Sequence, residues 1–453
     1  MKVRLFLLSF LAFAIFSACT LSNGNSSACP SGQEKNDEGE CVGSSNPGGD
    51  SSSSNGNNNG GGDPQGGPYA VLPSNMNKQK VQEMYNSWMN TYYITFEQDA
   101  GSGSFNPDFA PDEAKGTARI KSKYNTCSTK GECTASEAMG YGMILASLME
   151  DWERYGKLLA YSKVFRISGT ALMMWDISDF RSGSGGSATD ADIDICASLF
   201  IAYEKTKKQA YLDDAIEIGK SIYEFEVDRN TKLILPAMNN EAMGNGQLYN
   251  ISYLSLPALG MLAKHDRGNG RDWDAVLEAN IAYMERVQNG GDGLWPDWSN
   301  ASGEPANPGN GTSNNLTASA ASGGGTVPSH AAYYKETPRI PWRIAWYYHW
   351  FGNQRAKTML DKGMYFLRNT KGVQNSEGIK DFYSYTGGKE SGSPASVIRW
   401  ASLCALGMGS QENLDWLNSC NERIFRENFT TAVSDYYRNS LHLIYAMLFN
   451  GKF

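Results

Sequence analysis

Apolar residues recur at helical spacing along most of this 453-residue chain, and this periodicity limits the fold more than any other feature. One segment places Val81, Tyr85, Trp88 and Tyr92 on a single helical face. Twelve segments have such a pattern, at about residues 76–93, 136–150, 155–175, 189–206, 210–227, 250–265, 272–288, 338–352, 354–370, 392–408, 411–426 and 434–449. The chain is therefore predicted to be all-α.

Twelve helices joined mostly by short links are expected to form six helical hairpins that close into a ring, an (α/α)6 barrel. The alternative is an open α-solenoid, which would need a fixed-period repeat that the sequence lacks. Two connections, 94–135 and 289–337, are too long to be turns, and long loops in compact domains tend to carry function. A short strand is expected near 118–121.

The first 67 residues differ in composition from the rest of the chain. Residues 1–18 resemble a secretory signal peptide, because a positively charged start precedes an apolar run too short to span a bilayer. FSAC at 16–19 resembles a bacterial lipobox, which predicts lipidation of Cys19; ordinary cleavage just before it is the alternative. Residues 19–67 are then a lipidated N-terminus with a flexible Ser/Gly/Asn-rich linker, and 68–453 a single folded domain.

The chain has eight cysteines. In an exported protein, Cys29 and Cys41 are expected to close a small disulfide loop within the linker. Cys127 and Cys133 either pair or remain free, and pairing would brace the entrance to the helix that follows. Cys196 is expected to be a small buried core residue.

Composition narrows the range of functions. The formal charge of −8 argues against a nucleic-acid partner. Aromatic residues make up 12% of the chain, which suits stacking on sugar rings, although protein cores also contain them. The four histidines show no metal-ligand spacing, and no GxSxG, phosphate-loop or dinucleotide motif occurs. We therefore expect neither a metal nor a cofactor.

Glu137 lies in SEAMGYGM, between Ser136, the predicted N-cap, and an apolar helical run that includes Tyr141. A carboxylate there either only complements the helix dipole or takes part in chemistry. Cleavage of a glycosidic bond needs one carboxyl that donates a proton and another that activates water. Since the dipole lowers a carboxyl pKa, Glu137 can be the acid only if burial or a nearby carboxylate raises it.

The segment ATDADIDICASL at 188–199 packs Asp190, Asp192 and Asp194 into one helix start. Asp190 and Asp194 are four residues apart and therefore neighbours, whereas Asp192 points elsewhere. Either Asp190 faces a cleft while another aspartate caps or pairs locally, or the acids only complement the helix dipole.

Aromatic residues flank an acid in GLWPDWS, where a helix ends and a long loop begins. Trp295 and Trp298 lie on either side of Asp297. Each tryptophan suits either a sugar platform or the core.

A fourth segment, KETPRIPWR at 335–343, combines charged and aromatic residues. Its two prolines allow a helix to start here but not to extend backward. Glu336 is therefore predicted to lie just before a helix, beside Arg339, Trp342 and Arg343.

Together these segments resemble glycoside hydrolase family 8, from roughly residue 75 to the C-terminus. SEAMGYGM is similar to the family's SEG-x-x-YGM motif, with Ala138 in place of Gly. ATDADIDICASL follows the family signature, with Cys196 where Ala is usual and Phe200 where a smaller aliphatic is usual. NISYLSLPAL, GLWPDWS and RIPWRIA are similar to the family's NPSYFSP, GLVPDW and RVPWR segments.

The resemblance implies an (α/α)6 barrel, an open cleft for a β-linked glycan, and single-displacement hydrolysis with inversion. By matching motif positions, the resemblance implies that Glu137 is the general acid and that Asp190 holds the sugar at the cleavage point. It also implies that Tyr253 is a tyrosine of the cleft. Further substrate-binding residues are expected among the motif side chains: Tyr141, Trp295, Asp297, Trp298, Arg339 and Trp342.

The general base is the point at which this sequence departs from the family. The commonest subgroup has Asp three residues before the Arg of RVPWR, and here that residue is Glu336. Three interpretations follow: Glu336 is the base, another residue such as Asp190 or Asp297 is the base, or strong hydrolytic activity has been lost. A longer Glu arm still fits an inverting site, whose carboxyls lie about 6.5–9.5 Å apart.

The leading hypothesis is an endo-β-1,4-glycanase acting on cellulose or mixed-linkage β-glucan, with xylan second and chitosan third as substrate. A lipid-anchored glycan-binding protein with a degraded site and a polysaccharide lyase on the same barrel are the competing hypotheses. We expect a monomer that binds a β-linked polysaccharide and, through a lipid on Cys19, a membrane. The expected location is the bacterial cell envelope, at the outer membrane or cell surface.

Overall fold

The computed structural model describes residues 33–35, 41–43, 69–103, 105–122, 133–184, 186–239, 248–309, 315–317 and 325–453. The chain divides into two compact units, 1–59 and 60–453. In the first unit, strand β1 (Gln33–Lys35) pairs antiparallel with β2 (Cys41–Gly43). The predicted signal peptide, Cys19, Cys29 and most of the predicted linker lie outside the described residues.

All twelve predicted helices are present in the second unit. Its described residues form α1 to α13 at Lys78–Tyr92, Phe96–Gly101, Ser136–Leu148, Trp152–Val164, Thr189–Thr206, Gln209–Phe225, Leu256–His265, Trp273–Gly290, Ile340–Phe351, Gln354–Tyr365, Val397–Ala405, Leu414–Ile424 and Tyr436–Phe449. The short α2 lies inside the first long connection. Helix α4 ends well before the predicted residue 175, because a turn at Gly169 (φ 79°) brings Arg166 opposite Met173. Within the described residues, no helix combines the length and apolar character needed to cross a membrane.

Six helices form a closed inner ring. Helix α3 packs against α5, α5 against α7, α7 against α9, α9 against α11, α11 against α13, and α13 returns to α3. Outside this ring, α4, α6, α8, α10 and α12 each pack on the helix before them, and α1 packs on α13. The contact between α13 and α3 confirms the (α/α)6 barrel and excludes an open solenoid.

The position of a helix in the barrel determines how many of its faces are buried. In the ring helix α5, every residue from Thr189 to Ala202 is buried, because other elements cover the helix on all sides. The outer helix α6 buries a single face that includes Leu212, Ala215 and Ile222. Amphipathic periodicity is therefore clearer in α6 than in α5.

Short antiparallel strands join the loops of the barrel. They are β3 (Tyr93–Thr95), β4 (Ala118–Ile120), β5 (Thr134–Ala135), β6 (Asp176–Ser178), β7 (Ser182–Ser184), β8 (Leu248–Tyr249), β9 (Ser299–Asn300), β10 (Asn315–Thr317), β11 (Thr326–Pro328), β12 (Ala332–Tyr333) and β13 (Tyr383–Ser384). The sheets are β3–β4, β5–β6–β7, β8–β9, β10–β11 and β12–β13. Strand β4 confirms the strand expected near 118–121, and β12 leads into the segment that carries Glu336.

The disulfides differ from the sequence expectation. Cys404 and Cys420 form a disulfide between α11 and α12 that the sequence did not predict. Cys133 is disulfide-bonded, but Cys127 lies outside the described residues, so the pairing of these two stays a prediction. Cys196 is a free, buried thiol, as expected.

Candidate active site

The N-terminal ends of three ring helices bring the predicted catalytic carboxyls together. Glu137 lies in the first turn of α3, Asp190 in the first turn of α5, and Glu336 just before α9. Arg339 donates from Nη1 to Oε2 of Glu137 at 2.6 Å and to Oδ2 of Asp190 at 2.5 Å, and from Nη2 to Oε2 of Glu336. One guanidinium thus joins three carboxyls. The N-cap predicted at Ser136 is wrong, because Ser136 is itself the first helical residue.

Arg339 is buried beneath this cluster. The ring of Tyr253 lies 5.0 Å and that of Tyr437 5.7 Å from its guanidinium carbon. A buried arginine is costly unless it is paired, and the carboxylates together with the two aromatic faces supply that pairing. Arg339 therefore holds the three carboxyls close to one another through its ion pairs.

Both carboxyl oxygens of Glu137 have hydrogen-bond donors. The Tyr436 hydroxyl donates to Oε1 at 2.7 Å, and Arg339 donates to Oε2. Burial, helped by the charges of Asp190 and Glu336, raises the pKa of Glu137 to about 8, while Arg339 and Tyr436 oppose the shift. Burial thus outweighs the opposing effects of Arg339 and Tyr436, and a pKa of about 8 favours the protonated form of Glu137 at neutral pH, while 18% of its side chain stays exposed.

Glu336 faces the same space as Glu137. Its side chain is 23% exposed, and Nδ2 of Asn250 donates to its Oε2 at 3.2 Å. A cavity of about 410 Å³, within the size range of small-molecule sites, is lined by Glu137, Lys335, Glu336, Ile398, Arg399, Tyr436 and Tyr437. A candidate acid and a candidate base therefore border one open volume.

Asp297 anchors the loop that carries Glu336. Its carboxylate accepts four consecutive backbone N–H groups, from Tyr334 to Thr337, at 2.8–3.3 Å, and the Thr337 hydroxyl at 3.0 Å. Burial and the charge of Glu336 raise the pKa of Asp297 to about 6, against the effect of these backbone bonds. Because its oxygens are occupied, Asp297 is placed to hold the loop and not, as expected from the sequence, to contact substrate.

The three aspartates of α5 have separate partners. Asp190 alone reaches Arg339, while Asp194 accepts a hydrogen bond from Nη2 of Arg343 at 2.5 Å. Asp192 accepts the backbone N–H of Met173 at 2.8 Å. Asp194 and Asp192 therefore have local partners, while Asp190 is buried within the cluster around Arg339, and its predicted orientation toward a cleft stays a prediction. In the part of the chain that the structure describes, no group of His, Cys, Asp or Glu side chains is arranged to hold a metal ion.

Three aromatic residues expected to bind substrate lie in the core instead. Trp295 is fully buried, and its Nε1 donates to the carbonyl of Met284 at 2.9 Å. Trp342 is fully buried on the ring helix α9 and stacks on Trp346, with ring centroids 5.8 Å apart. Tyr141 is fully buried on α3. All three lie where other elements cover them, so they offer no face to a sugar.

The remaining predicted aromatics lie at the site itself. Tyr253 is partly exposed at the end of a short 3-10 turn before α7 and faces Arg339. Trp298 is only 4% exposed and packs against Tyr253, with ring centroids 6.3 Å apart. Tyr253 therefore has a partly exposed ring beside Arg339, and Trp298 packs against it.

Sequence reasoning missed Asn250, Tyr436 and Tyr437. Tyr436 and Tyr437 open the ring helix α13, and Asn250 caps the 3-10 turn that precedes α7. A signal was available, because ring helices alternate with outer helices and so present their first turns at the same end of the barrel. Polar residues at the start of every ring helix were candidates on that basis.

The sequence matches one family model and is similar to several known proteins. A family model described as glycosyl hydrolases family 8 matches residues 104–452. The chain is 31% identical over 337 residues to Endoglucanase A of Acetivibrio thermocellus, covering 71% of this chain and 62% of that protein. It is 25% identical over 400 residues to a beta-glucanase of Niallia circulans, covering 85% of this chain and 87% of that protein. The chain spans less than two thirds of the length of several of these relatives, among them Endoglucanase 2 of Ruminiclostridium josui at 64%.

Solved structures show the same architecture. The apo structure of a beta-1,3-1,4-glucanase from Paenibacillus sp. X4 superposes with a TM-score of 0.67 at 25% identity, covering 86% of this chain and 98% of that one. A reducing-end xylose-releasing exo-oligoxylanase gives a TM-score of 0.60 at 14% identity, covering 83% of this chain and 93% of that one. At this low identity, the likeness to the exo-oligoxylanase shows a shared fold alone.

Proposed function

Because this chain belongs to family 8 of the glycosyl hydrolases, we propose that it is an inverting endo-β-1,4-glycanase acting on cellulose or mixed-linkage β-glucan. Several of its relatives are named endoglucanases and another a beta-glucanase, and a structural neighbour is named a beta-1,3-1,4-glucanase. These names favour a glucan over the xylan and chitosan alternatives.

One observation carries the proposal. Glu137 and Glu336 line the same cavity and contact different nitrogens of the Arg339 guanidinium. An inverting site needs an acid and a base separated by enough room for one water, about 6.5–9.5 Å between carboxyls. The Arg339 guanidinium, which contacts both carboxyls, holds them at the border of this one cavity.

Glu137 acts as the general acid in this proposal. Its raised pKa keeps the proton in place at neutral pH until it passes to the glycosidic oxygen as the bond to the anomeric carbon breaks. The carboxylate left behind is stabilised by the donors that already contact it, Tyr436 and Arg339. Proton donation therefore requires no rearrangement of the site.

Glu336 acts as the general base. Asn250 and Arg339 both contact Oε2, which leaves Oε1 to accept a proton from the attacking water. The other two candidates are less suited to this role. The oxygens of Asp297 hold the loop, and the buried Asp190 contacts Arg339. Asp190 is proposed to position the sugar at the cleavage point through its contact with the same cluster.

Reducing-sugar release from soluble β-glucan, xylan and chitosan tests the proposal. We expect release from β-glucan, loss of release in Glu137→Gln, and a first product of inverted anomeric configuration by proton NMR. Oligosaccharide binding without release of reducing ends would instead favour the glycan-binding alternative. Products that absorb as unsaturated uronates would favour the lyase.

We also propose that the protein is exported as a monomer and anchored to the bacterial envelope, at the outer membrane or cell surface, through a lipid on Cys19. The signal-like start and the FSAC sequence at 16–19 support this. Metabolic labelling with a fatty acid should mark the full chain and not the Cys19→Ser variant. Unlabelled wild-type protein would refute the anchor and leave the hydrolase proposal untouched.

A further inference from the structure

A second cavity of about 410 Å³ lies at the C-terminal part of α6 and shares no lining residue with the candidate active site. Four of the residues that line it are cationic, Lys220, Arg229, Lys232 and Arg271, and the only acid among them is Glu224. The chain as a whole has a formal charge of −8. Such a local excess of positive charge attracts anions.

Three of these four cations have no ion-pair partner in the part of the chain that the structure describes. Arg271 is occupied, since Nε and Nη2 donate to the carboxylate of Asp266 at 2.6 and 2.7 Å. Arg229 is the one arginine among the described residues that has no ion pair, side-chain hydrogen bond or aromatic contact. Lys220 and Lys232 also have no ion-pair partner within the described part of the chain. Like charges around one cavity repel each other until an anion enters.

The walls of this cavity are preformed. The hydroxyl of Tyr223 accepts the backbone N–H of Asp272 at 3.1 Å, and its ring meets Trp273 edge-to-face at 5.2 Å. Lys232 has a left-handed backbone (φ 62°), and its carbonyl accepts a hydrogen bond from Nδ2 of Asn280 at 3.0 Å. An aromatic ring and a lysine backbone are therefore both fixed at the edge of the cavity.

We propose that this basic cavity binds a carboxylate-bearing sugar, that is, a uronic acid unit of a polysaccharide. Arginine and lysine side chains bind a carboxylate, and the partly exposed ring of Tyr223 lines the same cavity, where a sugar ring can pack against it. The volume falls within the range of small-molecule sites. That the ligand belongs to a polysaccharide rests on the proposed function, whereas the preference for an acidic over a neutral sugar rests on the cations.

A matched pair of ligands tests the preference. Calorimetric titration of the full chain compares an oligosaccharide bearing one glucuronic acid with the same oligosaccharide after reduction of its carboxyl to an alcohol. We expect the acid to bind at least tenfold more tightly and the difference to shrink as salt is added. Arg229→Gln/Lys232→Gln should abolish the difference. The control Lys78→Gln/Arg426→Gln, which removes two exposed cations outside the cavity, should leave it unchanged.

Three results would overturn the inference: equal binding of the two ligands, a preference that survives in Arg229→Gln/Lys232→Gln, or inorganic phosphate binding as tightly as the glucuronide. Hydrolysis of neutral β-glucan, measured on the same preparations, separates this inference from the proposed function. Selective binding without hydrolysis would refute only the glycanase. Hydrolysis without selective binding would refute only the basic site.

Discussion

The Tyr436 hydroxyl donates a 2.7 Å hydrogen bond to Oε1 of Glu137, which joins the first turns of α13 and α3. This bond stabilises the carboxylate form and so opposes the burial that raises the pKa of Glu137 to about 8. It therefore lowers the pH at which the proposed acid loses its proton.

Tyr436→Phe should shift the alkaline limb of the pH–rate profile upward. In the wild type, kcat/KM should fall as pH rises through about 8, because the general acid is then deprotonated. Without the hydroxyl the limb should move to higher pH, and kcat/KM at its optimum should drop by about tenfold or more, since a hydrogen bond to a charged group is lost. A profile of kcat/KM from pH 4 to 10 measures both. An unmoved limb would mean that Glu137 does not control it.

Glu137→Gln should abolish hydrolysis without destabilising the protein. Loss of the proton donor should reduce turnover by about 10²–10⁴-fold. The folded-state pKa of Glu137 lies above its unfolded value, so its contribution to stability is fully present at acidic pH and is lost as pH rises toward about 8. Because Gln does not titrate, thermal unfolding should show the variant to be at least as stable as the wild type at pH 8. Near-normal activity would remove Glu137 from the mechanism.

Glu336→Ala should lower kcat by orders of magnitude while oligosaccharide still binds, because Oε1 of Glu336 is the proposed proton acceptor. Glu304→Ala is the matched control, since Glu304 is the other acid between Trp298 and Lys357 and is exposed. Single-turnover kinetics together with binding titration separate the two effects. If Asp190→Asn reproduced the loss while Glu336→Ala did not, the base would lie on α5.

Asp297→Asn should lower both the stability of the protein and its turnover, because Asp297 holds the loop that carries Glu336. The amide keeps one acceptor oxygen, so part of the five-bond set is lost and a buried N–H is left unpaired, at about 1–3 kcal/mol. We expect a lower free energy of unfolding together with a lower kcat, measured by chemical denaturation and steady-state kinetics. Loss of kcat by orders of magnitude with unchanged stability would indicate that Asp297 itself is the base.

Trp295→Phe should affect stability and not substrate binding. The change deletes the bond from Nε1 to the carbonyl of Met284 and leaves a void where the fully buried indole ring was, at about 0.5–3 kcal/mol. Tyr253→Ala is the contrasting variant, because it removes a partly exposed ring next to Arg339 and should raise KM and lower kcat. Chemical denaturation and steady-state kinetics on both variants test the contrast. A raised KM in Trp295→Phe would indicate that Trp295 contributes to substrate binding.

Much of the architecture follows from local pattern. An outer helix such as α6 buries one face, so apolar spacing within its own segment reveals it without knowledge of its neighbours. Carboxylates among apolar residues at helix starts made Glu137 and Asp190 candidates, because such groups are costly to bury without a role, and the family resemblance then implied a role for each. The end of α4 was less predictable, since a turn at Gly169 overrides a continuing apolar pattern.

The amino-acid sequence by itself therefore determined the twelve helices and the acids at their first turns, because both depend on neighbours within a few positions along the chain. Only the tertiary structure decided that Trp295 and Trp342 are covered, that Asp297 holds a loop, and that Tyr436 contacts Glu137 across 299 positions. Those outcomes depend on which helices meet when the ring closes. Whether a side chain is exposed or buried, and which group it contacts, is a property of the assembled barrel.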